Sequence, residues 1–316
     1  MKILITLMCF VSVSIGLHGQ EKKLKISVEN PIQCTRNPYQ LVFHDEFDGD
    51  SLDTKKWYTY YPYGNNSTQD SCSFCRTHVT ANIFREKNVV VKNGMLQLIS
   101  DKESGVWFDR KFDYTSGMVY SKQVFNTFGK YEIRCKLPAG KQQWPAFWIF
   151  GWNTEIDIFE FICDGPNKPE FSIHNWLTEY CPKKKFDKSN PCYSSQTGKI
   201  NFGIDFSQEF HTFTMEYEPH MIKFYIDNVM FRYVPKYYDL RGNPINHCDL
   251  KPGEYKTEPA FPLPGEPVQV IANQSVCHKH KQKNPIFPNV MEIDYIRVYQ
   301  RNEQADLLDL DMPIIK

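Results

Sequence analysis

Several absences narrow the possibilities before any motif is considered. The chain has no net charge, with 37 Lys and Arg against 37 Asp and Glu over 316 residues. No field therefore draws it to nucleic acid or to an anionic membrane. After about residue 17 it has no apolar run long enough to span a bilayer. Nowhere does it hold apolar residues at i, i+3, i+4 and i+7 for three turns, and it has no internal repeat or low-complexity tract. Little helix is predicted. What is plentiful is aromatic: 15% of the chain is Phe, Tyr or Trp. That suits a β-rich core with spare rings for flat apolar ligands such as sugar faces.

The first twenty residues, MKILITLMCFVSVSIGLHGQ, carry one Lys, an apolar run to Leu17 and small residues around Gly19. They read as a secretory signal over residues 1–19, with a membrane anchor as the competing reading. The expected destination is secreted or periplasmic, where disulfides form. Of the ten cysteines, Cys9 lies in the apolar run and leaves an odd number, so one thiol stays free or bonds another chain. The expected pairs are Cys181 with Cys192 and, second, Cys248 with Cys277. The Cys72-x-x-Cys75 pair has no second CxxC to complete a zinc site. CHKH (277–280) reads more readily as a disulfide beside surface histidines than as a metal site.

After a polar extension (20–39), residues 40–300 read as one domain of strands and loops, and 301–316 as a loosely attached tail. NVVVKNGMLQLIS (88–100) turns at Asn93-Gly94, and MIKFYIDNVMFRYV (221–234) turns at Asp227-Asn228. HTFTMEYE (211–218) puts Phe213, Met215 and Tyr217 on one face and Thr212, Thr214, Glu216 and Glu218 on the other. WPAFWIF (144–150) is apolar enough for a strand buried on both faces. Many short strands predict an all-β sandwich of two antiparallel sheets. Two stretches, about 177–200 and 235–266, lack any pattern, and loops of that length tend to be functional or pinned by disulfides.

EIDIFEF (155–161) breaks the strand pattern. Glu155 and Asp157 share one face, but Glu160 is five residues from Glu155 and would fall among Ile156, Ile158 and Ile162. An unpartnered carboxylate there is costly. A β-bulge at Ile158–Phe159 resolves the conflict, because two residues then occupy one position and Glu160 rejoins the other acids. Two glutamates flanking an aspartate on one strand can lean to within about 5–6 Å, the separation for retaining glycoside hydrolysis. An acidic solvated face is the simpler alternative.

TEIDIFE resembles the signature of glycoside hydrolase family 16 in its bulged ExDxxE form. FHDEFDGDSLDTKKW (43–57), YTSGMVYSKQVFNTFGKYEIRCKLPAGKQQWPAFWIFG (114–151), FSIHNW (171–176) and MEIDYIRVYQ (291–300) follow in family order. The resemblance implies a β-jelly roll with a concave cleft. It matches Glu155 to the nucleophile, Glu160 to the acid/base and Asp157 to the assisting carboxylate. Trp144, Trp148 and His174 match sugar-binding residues, Trp148 being equally a core residue. A structural calcium is also implied, with Asp294 as side-chain ligand and backbone oxygens near Glu46 and Gly94. An ion pair with a nearby Lys or Arg is the alternative for that aspartate, and no cofactor is expected for catalysis. The expected protein is a monomeric, endo-acting retaining β-glycanase taking β-1,3- or β-1,3/1,4-glucan. A galactanase for agar- or carrageenan-type polymers, a transglycosylase and a non-catalytic sugar-binding protein stay open. The loops at 58–80, 177–200 and 235–266 and the GWNTEID and QVIANQSVC stretches depart from the family pattern, and they are where the polymer is chosen.

Overall fold

Phe213, Met215 and Tyr217 all point inward and are buried, as their alternation requires. The computed structural model describes residues 28, 38–62, 79–108, 110–126, 128–151, 153–176, 193–246, 249–262, 267–278 and 285–301. Within them the chain forms two large sheets. The first runs Val229–Pro235, Met221–Ile226, His211–Glu218, Gly129–Lys136, Asn289–Gln300, Met95–Trp107, Arg110–Ser116 and Asn82–Phe84. Gln40–Asp45 and Val89–Lys92 also pair with strands of that sheet. The second runs Ser194–Lys199, Glu170–Asn175, Thr154–Glu160, Gln143–Phe150, Gln269–Val276, Met118–Ser121 and Trp57–Tyr58. Among these pairings only Asn82–Phe84 with Arg110–Ser116 is parallel. This is the antiparallel two-sheet sandwich that the short strands predicted, a β-jelly roll.

The inner faces interdigitate as one apolar core. Phe159 and Phe161 of the second sheet meet Phe213 of the first at ring separations of 4.5 and 6.3 Å. Both expected hairpins form, with the left-handed backbone such tight turns demand: φ is 56° and 71° at Asn93 and Gly94, and 51° and 64° at Asp227 and Asn228. WPAFWIF is not buried on both faces. Phe147 and Ile149 are core, whereas Trp144, Trp148 and Phe150 keep surface on the other side.

A second, smaller apolar cluster lies on the outer face of the seven-stranded sheet. Ile271, Tyr120 and Met118 supply its floor, and Tyr61, Ile83 and Phe84 cover them. It occupies one end of the face that carries the acids, because Trp148, Ile271 and Tyr120 are register partners across three strands. The stretches without pattern also gain structure. Ser194–Lys199 is the edge strand beside Glu170–Asn175, and Tyr237–Asp239 pairs with Tyr255–Thr257 as a separate ribbon.

One expected disulfide is replaced by another. Cys277 does not pair with Cys248, which lies outside the described residues; its partner is Cys163, 114 residues earlier, with Cα atoms 6.0 Å apart. The expected Cys181–Cys192 pair, the Cys72–Cys75 pair and the signal segment also lie outside them. Cys135 is a free thiol in the core. The outward face of HTFTMEYE carries a buried charge. Glu218 is buried and paired with Lys223 at 3.2 Å and Arg301 at 2.9 Å.

The disulfide clamps the exit of the acid-bearing strand to the end of Gln269–Val276. On each side of it a backbone N–H finds the neighbouring segment, Cys163 to Gln143 O and Cys277 to Gln142 O. Converting both cysteines to Ser is expected to cost about 2–5 kcal/mol. Urea unfolding of the wild type and the variant measures it, and reductant should lower the stability of the wild type more than that of the variant.

Candidate active site

Thr154–Glu160 lies between Gln143–Phe150 and Glu170–Asn175, and both neighbours register the same break. Toward the first, Asp157 faces Trp148 and Phe159 faces Phe147. Toward the second, Asp157 faces Ser172 and Glu160 faces Glu170. Ile158 and Phe159 thus share one position, the bulge the sequence demanded. Ile156, Ile158, Phe159 and Phe161 enter the core, and Glu155, Asp157 and Glu160 line one cavity on the opposite face.

The cavity has two unlike halves. On one side Trp144 donates its indole N–H to Glu160 Oε1 at 2.9 Å. Burial raises the Glu160 carboxyl well above the usual range, and the Asp157 charge adds to that, with the Trp144 bond opposing. Trp148 donates to Asn273 Oδ1 at 2.8 Å, and Asn273 donates on to Ser275 at 3.0 Å. Tyr61, Phe84, Val79 and Thr80 close this end. On the other side Trp176 donates to Glu155 Oε2 at 3.1 Å. His174 bonds Asp157 Oδ2 through Nε2 at 3.2 Å and the Tyr193 hydroxyl through Nδ1 at 2.6 Å. One ligand atom from each of Glu155, Asp157 and His174 lies within 4.8 Å of the other two. One carboxyl is favoured in its neutral form, and a second accepts a hydrogen bond from an indole. Such a pair can protonate a leaving group and attack a carbon in the same step.

The structure brings all six expected site residues of this face together: Glu155, Asp157, Glu160, Trp144, Trp148 and His174. Four contributors were missed. Trp176 had a signal, since it lies two residues after His174 and so continues toward the same face. Asn273 and Ser275 alternate within ANQS, another legible pattern. Tyr193 had none, coming from a stretch without periodicity.

Of the expected calcium ligands, only Asp294 would contribute a side chain, and that side chain is engaged. Asp294 pairs with Arg134. The Glu46 carboxylate accepts two bonds from Arg297, at 2.9 and 2.7 Å, which hold it below the usual carboxylate range. Gly94 occupies a hairpin turn. With its one side-chain ligand committed to a guanidinium, this set does not fit a hard dication as arranged.

Residues 77–259 match the family model described as Glycosyl hydrolases family 16. The chain is similar to glucan endo-1,3-beta-glucosidase A1 of Niallia circulans, 26% identical over 87% of this chain and 40% of that protein. It is also similar to a beta-glucanase of Rhodothermus marinus, 25% identical over 83% and 85% of the two chains. The chain thus spans less than half the length of the first of these relatives. Among solved structures it resembles the catalytic domain of an endo-1,3-beta-glucanase (laminarinase) from Thermotoga petrophila. That match has a TM-score of 0.61 and 25% identity, covering 84% of this chain and 99% of the other. With a family match running over more than half of its 316 residues, the chain belongs to glycosyl hydrolases family 16.

Proposed function

We propose that this glycoside hydrolase is an endo-acting, retaining β-glucanase that cleaves internal β-1,3-linkages, or the β-1,3 and β-1,4 linkages of a mixed glucan. The observation that carries the reading is the bulge. It sets two glutamates of one strand in one cavity, and their surroundings pull their charge states apart. In the first step Glu155 attacks the anomeric carbon while Glu160 gives its proton to the departing glycosidic oxygen, leaving a glycosyl ester on Glu155. Glu160, now a carboxylate, takes a proton from water as that water attacks the same carbon. The ester breaks, the sugar leaves with its original configuration, and Glu160 is protonated again. Asp157 supplies the charge that helps keep Glu160 protonated. Trp144 and Trp148 offer ring surface to the sugar, and His174 orients Asp157.

The choice of a β-glucan is supported by the activities for which the relatives are named. Among the described residues no helix is long and apolar enough to cross a membrane. Export belongs to the same proposal and rests on residues 1–19. A panel of laminarin, lichenan, agarose, carrageenan and xyloglucan with product sizing tests the substrate. Oligosaccharides of several lengths should appear early from laminarin. Products from agarose or carrageenan alone would move the assignment to a galactanase, and products longer than a short donor would mark a transglycosylase.

Glu155→Gln and Glu160→Gln are each expected to lower turnover of laminarin by about 10³-fold or more with the fold intact. Reducing-sugar release beside near-UV circular dichroism measures both. Wild-type activity in either variant would refute the assignment. The raised Glu160 carboxyl also predicts a pH dependence. Activity should fall on the alkaline side as Glu160 loses its proton, at a pH above the ordinary glutamate range. For stability, the folded state holds this proton more tightly than the unfolded one. Folding is therefore unpenalised below about pH 4 and loses stability as pH rises toward the folded value. Glu160→Gln should be the more stable protein near neutrality, with the difference vanishing in acid. Thermal melts across pH check it.

A further inference from the structure

Trp176 is held from several directions. Its backbone N–H donates to Asn153 O at 2.8 Å. Its indole is buried and packs on Tyr193, with ring centroids 4.6 Å apart, and on His174 at 5.8 Å. The N–H so fixed meets Glu155 Oε2. Tyr193 in turn joins the two carboxylates of this side, packing at a tilt on the indole that holds Glu155 and bonding the imidazole that holds Asp157. A single neutral tautomer satisfies His174: Nε2–H donates to Asp157 while Nδ1 accepts the Tyr193 O–H.

We propose that Trp176 and Tyr193 are positioning residues for the nucleophile's half of the site. Trp176 engages Oε2 of Glu155 so that Oε1 is the attacking atom, and Tyr193 fixes His174 in the tautomer that donates to Asp157. The inference rests on the reading of Glu155 as nucleophile. Donors aimed at Glu155 and Asp157 favour their anionic forms, and the Asp157 charge is one cause of the raised Glu160 carboxyl. The stack therefore acts on the whole division of charge. Among the described residues, the groups facing Glu155 include Asp157 and Glu160 on its own strand, His174 and Trp176 across the ladder, and Tyr61 from the covering cluster.

Trp176→Phe keeps a ring in the stack and removes the donor. On laminarin, kcat should fall about 10- to 100-fold, as for a misplaced reacting group, with KM within about threefold of wild type. The acid limb of kcat/KM should move to higher pH, because Glu155 loses a bond to its charged form. On dinitrophenyl β-laminaribioside, whose leaving group needs no proton, the Trp176→Phe deficit should persist while the Glu160→Gln deficit in glycosyl transfer largely disappears. Tyr193→Phe keeps the stack and removes the hydroxyl. It should move the alkaline limb to lower pH as Asp157 loses charge. A folded Trp176→Phe with wild-type kcat and pH profile overturns the inference, as does a deficit that vanishes with the activated substrate. If Trp176→Phe fails to fold, an unchanged pH profile in Tyr193→Phe overturns it instead. Activity retained in Glu155→Gln would break the nucleophile reading itself, whereas an inactive Glu155→Gln beside a fully active Trp176→Phe breaks only the positioning role.

Discussion

A β-strand alternates its side chains, so residues five apart cannot share a face unless the strand gains a residue. Everything at the site depends on how Thr154–Glu160 meets that constraint. A regular strand would drive the Glu160 carboxylate into the aromatic core and turn Phe161 out. With Ile158 and Phe159 sharing one position, four apolar side chains enter the core and three acids leave it. Phe159 packs on Phe147 and Phe213, and Phe161 N–H donates to Pro145 O at 3.1 Å just past the break. The ladder irregularity is thus backed by burial on the side away from the chemistry. The strand is flanked by paired neighbours on both sides, so the acids rest on a support that cannot slip by one residue without burying a charge.

The same strand presents two glutamates to different surroundings, and each takes an indole N–H. Trp144 lies on the neighbouring strand on one side and Trp176 follows the strand on the other. The donors alone would favour the charged form of both. Burial and the Asp157 charge tip the balance at Glu160, so a near-symmetric frame carries an asymmetric pair. Desolvation makes one carboxyl an acid, and the hydrogen-bonded stack at Trp176 favours the charged form of the other.

Much of this was legible because it depends on short-range pattern. The turns at Asn93-Gly94 and Asp227-Asn228 follow from the left-handed backbone those residues tolerate. The bulge follows from the cost of burying Glu160, and the inward face of His211–Glu218 from its alternation. What was not legible depends on partners distant in sequence. Cys163 and Cys277 are joined because two strand ends meet, and no spacing rule announces that. Asp294 lies in an apolar-alternating strand that suits a ligand or an ion pair equally; its ion-pair partner, Arg134, comes from the adjacent strand. The alternation places Glu218 on the face opposite the core but cannot say what meets it there: Lys223 and Arg301 converge on it from a neighbouring strand and from the end of the domain. Tyr193 reaches His174 from a segment with no periodicity.

The central claim is the assignment of opposite roles to two glutamates of one bulged strand. Rescue with azide tests it most directly, using dinitrophenyl β-laminaribioside and nuclear magnetic resonance to read the anomer formed. In Glu155→Ala, azide replaces the missing nucleophile and attacks the sugar once, so the account predicts an α-glycosyl azide. In Glu160→Ala the nucleophile is intact, and azide intercepts the glycosyl ester to give a β-glycosyl azide. The opposite pairing of anomers with variants, or the same anomer from both, would contradict it.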